Sequence, residues 1–413
     1  MSSTRTAGPL LLVPAVVAAL ALAASPAAAA DAGLGYVSLG SSFAAGPGIP
    51  SAQPGSPAAC ARSTGNYPSV VARDLGADHT DVSCSGATTA HVLDGGQAGL
   101  GPQVDAVSAG TRVVTVTIGG NDVNYLGSVG VYSCQNTGGV NCGTVDREAV
   151  DRAFGALTAR LENVGNAVRS RAPGARVFFV SYFTLLPDSG TCEGVPLTAD
   201  QLAFERSVAS RLVDATNAAA RATGATVVDL AGASRGHDAC SAVPWVEDFT
   251  PAPGRATYHP NEAGMAGAAR LVEAALDAAG VTATGPVRSA LAGAKCVDVA
   301  GAGTANGTAV QLFGCNGTGA QSWTVVPDAG GALRALGGCL DATGGGTANG
   351  TRVQLWECNG TGAQRWLAGA DGSLVNPRSG RCLDVPNAST ADRTRLQLFD
   401  CNGTAAQRWT PAG

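Results

Sequence analysis

The sequence predicts an α/β domain built as three layers around a parallel sheet, followed by a smaller all-β domain with threefold internal symmetry. Three observations carry this reading. Between residues 34 and 280, apolar β-branched runs alternate with amphipathic helical stretches, the pattern of a parallel sheet covered by helices on both faces. Beyond residue 287, cysteines and tryptophans recur on a 43-residue step with no helical periodicity. An even count of twelve cysteines in a chain with an exported-type leader points to paired thiols in an oxidising compartment.

Residues 1–30 read as a signal peptide. Arg5 precedes an apolar stretch from Leu10 to Ala24, and Ala27-Ala28-Ala29-Ala30 supplies the small-residue cleavage site before Asp31. That apolar core is short for a spanning helix, so a secreted, extracellular protein without stable membrane insertion is expected. About 380 residues remain, enough for two domains that each bury a core. A net charge of -5, 26 Lys+Arg in all and no basic run leave no phosphate footprint, which argues against nucleic acid as a partner. No two cysteines show C-x-x-C spacing, and neither a metal nor another cofactor is called for. The chain is expected to act as a monomer.

In the first domain, 31–280, the strands are "YVSLG" (36–40), a short run around Val82, "RVVTVTIGG" (112–120), "ARVFFVSYF" (175–183) and "ATVVDL" (225–230). Val150, Phe154, Leu157, Leu161, Val164 and Val168 fall on one helical stripe. Further helices are expected from Ala199 to Ala222 and from Asn261 to Ala279. In open parallel sheets the ligand site lies beyond the C-terminal ends of the strands. Four small-residue or polar turns meet that rule: Gly40-Ser41-Ser42, "CSGATT" (84–89), Gly119-Gly120-Asn121-Asp122 and "YHPNEAG" (258–264). Together they offer a nucleophile, amide donors and a histidine.

These turns resemble the motifs of the SGNH hydrolases, also called GDSL-type esterases or lipases, in their secreted bacterial branch with a flavodoxin-like three-layer fold. The resemblance makes Ser42 the nucleophile and His259 the base, with Gly86 and Asn121 in the oxyanion hole. Chemistry agrees: a serine hydroxyl needs a base within reach, and a tetrahedral oxyanion needs donors such as the N–H groups of Ser42 and Gly86 and the amide of Asn121. His79, His91 and His237 are read as solvated loop residues. Two positions depart from the family. Ser41 stands where its members carry Asp, and Ala256 stands three residues before the histidine, where many place an orienting Asp. Some members use a main-chain carbonyl there, so the carbonyl of Ala256 is expected to orient His259 in a Ser-His dyad, with Glu247 and Asp248 as alternatives. The resemblance also matches the pairs Cys60-Cys84, Cys134-Cys142 and Cys192-Cys240.

The segment "VTATGPV" (281–287) reads as a linker to the second domain, 288–413. Cys296, Cys339 and Cys382 start three units, and each is followed nineteen residues on by Cys315, Cys358 or Cys401, which suggests three matched disulfides. Trp323, Trp366 and Trp409 keep the same step, each two residues after Gln321, Gln364 or Gln407. Each unit reads as short strands, and three such units close as a threefold barrel. The three Gln-x-Trp motifs resemble the ricin B-type lectins, which are β-trefoils. In that family an Asp after the first cysteine accepts from sugar hydroxyls and an aromatic stacks on the ring, which is what an uncharged pyranose needs. The positions are Asp298, Gln311, Phe313 and Asn316; Asp341, Gln354, Trp356 and Asn359; and Asp384, Gln397, Phe399 and Asn402. The repeat with Trp356 is the best candidate. The residue before each Gln-x-Trp glutamine, often Asn in sugar-binding members, is here Ala320, Ala363 or Ala406.

The sequence thus points to a secreted serine carboxylic-ester hydrolase, acting on acyl esters and held on a polysaccharide or other glycan by its lectin domain. The alternatives are a polysaccharide acetyl esterase, or a secreted lectin whose first domain is inactive.

Overall fold

In the computed structural model, residues 1–2, 34–326, 331–369 and 371–411 are described; the segment read as a signal peptide lies otherwise outside them. Five strands, β1 (Gly35–Gly40), β2 (Asp78–Asp81), β3 (Val113–Thr117), β4 (Arg176–Val180) and β5 (Thr226–Val228), form one sheet in the order β2-β1-β3-β4-β5. Every pairing is parallel. Every residue of β3 is buried, as expected of a central strand with helices on both faces. The strand order turns back between β1 and β3, and that point is where a binding crevice opens in such a sheet.

The short helix α1 (Ser42–Ala45) follows β1 directly. The helix α2 (Tyr67–Leu75) starts where the Asn66 side chain accepts from Ser69 N–H and stops at Gly76, whose left-handed backbone closes the last turn. After α3 (Thr89–Leu93) come α4 (Tyr125–Asn136), the long helix α5 (Arg147–Arg171), α6 (Ala199–Thr223), α7 (Leu230–Ala233) and α8 (Glu262–Ala278). The stripe on α5 is buried at Val150, Leu157, Leu161, Val164 and Val168. Phe154, its sixth member, is half-buried beneath the Arg211 guanidinium, 4.0 Å from the ring centre.

The second domain repeats one construction three times. Cys296 pairs with Phe313, Cys339 with Trp356 and Cys382 with Phe399 across antiparallel hairpins of the same register. Trp323, Trp366 and Trp409 lie in its core, and their indole N–H groups donate to the carbonyls of Val297, Leu340 and Leu383 at 2.9, 2.9 and 3.0 Å. This is the β-trefoil arrangement. All six disulfides pair as expected, and no free cysteine is left among the described residues.

The expected linker is corrected by the structure. Ala283–Gly285 is a strand, β6, paired with Trp323–Val325, and Val287 is fully buried in the trefoil core. Both domains belong to one unit, Asp31–Gly413. Arg334 reaches Asp74 at 3.1 Å and Glu273 at 2.8 Å, Arg365 grips both oxygens of Asp78, and Ala332 N–H donates to the Leu75 carbonyl. Val326 packs into the core of the α/β domain. Composition alone could not separate a Gly- and Pro-bearing edge strand from a tether.

Candidate active site and sugar sites

The turn after β1 is built around glycine. Gly40 has φ +152°, and a Cβ there would lie 2.6 Å from the Thr117 carbonyl oxygen, so only glycine lets β1 run this close to β3. Gln103 holds the same residue from the other side, accepting from Gly40 N–H at 2.7 Å and donating to its carbonyl at 2.9 Å. The chain then turns sharply into α1.

The two serines separate cleanly. Ser41 is buried, and its hydroxyl lies 2.9 Å from Tyr182 Oη and 3.5 Å from the Thr117 carbonyl. Ser42, one residue on at the start of α1, keeps a hydroxyl with no hydrogen-bond partner among the described residues. Ser41 is a structural hydroxyl, and Ser42 is the free one.

His259 enters from the loop before α8. Its ring packs on Phe43, with centroids 5.5 Å apart, and Phe43 directly follows Ser42. Gly48 brings the two loops together: a Cβ there would sit 2.5 Å from Ala256 N and 2.9 Å from Arg255. The carbonyl that meets the imidazole is that of Thr257, 2.8 Å from Nδ1. This corrects the expectation for Ala256, whose carbonyl instead accepts the backbone N–H of His259 at 3.1 Å and closes a tight turn. Asp248 and Glu247 do not take that place either. Asp248 Oδ1 accepts from Thr250 N–H, and Glu247 joins the loop through its backbone N–H to the His259 carbonyl.

A carbonyl can only accept, so Nδ1 carries the proton and Nε2 keeps its lone pair. Burial pushes the His259 imidazole below its ordinary value, and the bond to Thr257 offsets part of that shift. The ring is therefore held neutral, in the tautomer a base requires.

Two further loops frame the site. Gly86 is exposed with φ +81°, and neither its N–H nor that of Ser42 donates to another backbone group among the described residues. Asn121 Nδ2 donates one hydrogen to the Ala87 carbonyl at 2.8 Å, leaving its second free. Asp122, the next residue, receives Thr89 N–H at 3.0 Å and the Thr89 hydroxyl at 2.5 Å, tying the Gly86 and Asn121 loops to each other. Sequence reasoning missed Tyr182, Gln103, Thr257 and the Asp122–Thr89 link. No motif marked the first two, and Thr257 depends on how one turn closes.

In the trefoil, each expected acidic residue is buried and doubly bonded. Asp298 accepts from Gln311 at 2.9 Å and Gln321 at 3.0 Å; Asp341 accepts from Gln354 at 3.0 Å and Gln364 at 3.2 Å; Asp384 accepts from Gln397 at 2.9 Å and Gln407 at 3.1 Å. The aromatics Phe313 and Trp356 are half-buried and Phe399 is exposed. Asn316, Asn359 and Asn402 direct their side-chain oxygens to the N–H groups of Thr318, Thr361 and Thr404, so they build the turn beside each site. Each candidate site is bordered by the preceding repeat in cyclic order. Asn306, Asn349 and Asp392 accept from Glu357, Asp400 and Gly314 N–H at 2.7, 2.8 and 2.8 Å. The 43-residue step of these three residues was legible in the sequence and was not used.

Comparison with known proteins agrees with both halves. Residues 38–266 match the GDSL-like Lipase/Acylhydrolase family, and residues 283–409 match the ricin-type beta-trefoil lectin domain. Lipase 2 of Streptomyces coelicolor is 37% identical over 266 residues, covering 60% of this chain and 86% of that protein. A lipase of Streptomyces rimosus is 33% identical over 266 residues, covering 63% and 92%. The crystal structure of phospholipase A1 from Streptomyces albidoflavus superposes with a TM-score of 0.51 at 29% identity, over 59% of this chain and 99% of that one. With 229 of its residues in the family match and the parallel sheet to carry it, the chain belongs to the GDSL-like lipase/acylhydrolase family of carboxylic-ester hydrolases and bears a ricin-type β-trefoil lectin domain at its C-terminal end.

Proposed function

We propose that the chain cleaves acyl esters with Ser42 as nucleophile and His259 as its base, and that the trefoil keeps the enzyme on a glycan surface. The observation that carries this is the division of labour at the elbow. Ser41 is tied down, the Ser42 hydroxyl is free, and the next residue, Phe43, packs on the imidazole of His259, whose Nδ1 is fixed by the Thr257 carbonyl. In the first half-reaction Nε2 takes the Ser42 proton as Oγ attacks the ester carbonyl. The oxyanion then meets the N–H groups of Ser42 and Gly86 and the free hydrogen of Asn121 Nδ2. Collapse breaks the ester C–O bond, and the imidazolium returns the proton to the leaving alcohol. Water, deprotonated by the same Nε2, releases the acid and restores Ser42.

A carbonyl stabilises the imidazolium less than a carboxylate but fixes the same tautomer, which makes this a dyad. In the trefoil, an acidic acceptor beside an aromatic face suits neutral sugars, and weak binding at up to three sites raises the local concentration of enzyme. Six disulfides fit an exported protein.

The test is turnover of p-nitrophenyl acetate and p-nitrophenyl palmitate by the full chain beside Ser42→Ala. Loss of turnover in the variant supports the serine mechanism, and the better substrate separates deacetylation from lipolysis. Equal rates in both proteins on both esters overturn it.

A further inference from the structure

The substitution of Ser41 for the family's Asp leaves the elbow without the carboxylate that usually precedes the nucleophile. The structure fills that place with a residue 141 positions away. Tyr182, in the loop after β4, lies 2.9 Å from Ser41 Oγ through its phenol oxygen, and that oxygen also accepts Gly120 N–H at 3.0 Å. The two hydroxyls are linked whichever of them donates, and that of Ser41 also lies 3.5 Å from the Thr117 carbonyl. The ring is fitted as closely as the hydroxyl. A Cβ on Gly120 would fall 2.7 Å from it, so glycine at 120 is required by this side chain. The ring also packs against Phe43, with centroids 4.7 Å apart, and Phe43 carries the contact on to His259. Tyr182 thus touches the nucleophile's elbow and the loop that presents Asn121, and it reaches the histidine through one intervening ring.

We infer that Tyr182 is a positioning residue, and that its phenol together with Ser41 replaces the missing carboxylate in holding Ser42 and Asn121 in register. This rests on the reading of Ser42 and Asn121 given above. Burial pushes the phenol up to about 12, so it keeps its proton throughout any ordinary working range. Gln103 performs the complementary task at Gly40 and leaves Ser41 to Tyr182.

Tyr182→Phe retains the ring and its packing and removes only the hydroxyl. The expected result is a kcat lowered about tenfold with KM within about twofold, because an interaction realised in the transition state is being disturbed. Ser41→Ala should have the same effect, and the double variant should be no worse than either single one, since both break the same link. Additive losses, or an unchanged kcat in Tyr182→Phe, overturn the inference. A second readout does not depend on catalysis. The Gly120 amide should exchange with solvent at least about tenfold faster in Tyr182→Phe, having lost its acceptor. If the wild type does not exceed Ser42→Ala on any ester, the ester-hydrolase reading has failed, and the exchange rate alone decides whether Tyr182 holds this loop. Unchanged Gly120 protection then overturns the inference, and faster exchange supports it.

Discussion

At the scale of single residues, the site is a set of hydrogen-bond assignments with consequences that can be measured. In the proposed mechanism His259 acts as base only while neutral, and burial holds its pKa below its ordinary value. The acid limb of kcat/KM is therefore expected below about 6.5, the value of a free imidazole. A limb at or above that value in the pH–rate profile would mean that the ring is not desolvated as described. With Asn121 as the oxyanion donor proposed above, Asn121→Ala is expected to lower kcat about 10²–10³-fold, or ~2.7–4 kcal/mol. Motif order on a parallel sheet was enough to single out Ser42 and His259 as candidates. Thr257 was not, because Ala256 and Thr257 differ only in which carbonyl the Tyr258 turn leaves facing the ring. Tyr182 was not legible either, since a contact between residues 41 and 182 leaves no local pattern.

At the scale of elements, close backbone approach and repeated side-chain networks set the geometry. Gly48→Ala would push a methyl into the backbone at residues 255–256 and strain a residue with φ +78°. The expected outcome is a lower kcat together with a lower melting temperature, seen by steady-state kinetics and thermal unfolding of the same preparation. In the trefoil, Asp341→Ala removes the carboxylate that accepts from both the Gln354 and the Gln364 amides. An unpaired buried donor costs about 1–3 kcal/mol, and a thermal melt of the variant measures it; an unshifted melt would show that the network is slack. The strands of this domain were readable from the 43-residue period. The helices α2 and α4 were not foreseen. In α4, "YLGSVGVYSCQN" is rich in Gly, Ser and Val, residues of modest helix propensity, and its burial against the domain core makes it helical.

At the scale of the whole molecule, the two domains are joined by an ion cluster, a backbone hydrogen bond and shared core packing, so they should unfold together. Calorimetry is expected to show one transition. Arg334→Ala leaves Glu273 without its cation and Asp74 with Arg73 alone, and it should cost up to about 3 kcal/mol and separate the domains into two transitions. The sequence read 281–287 as a linker, because pairing between Ala283–Gly285 and Trp323–Val325 spans forty residues and leaves no local signal. A fixed lectin domain would present the catalytic crevice at a constant distance from a bound glycan, a consequence for which substrate to test on the full chain. The central claim, that Ser42 is the nucleophile of this hydrolase, is tested most directly by reacting the full chain with a fluorophosphonate and locating the adduct by mass spectrometry. A single adduct on Ser42, lost in His259→Ala, is the expected result; an adduct on Ser41, or none at all, would contradict it.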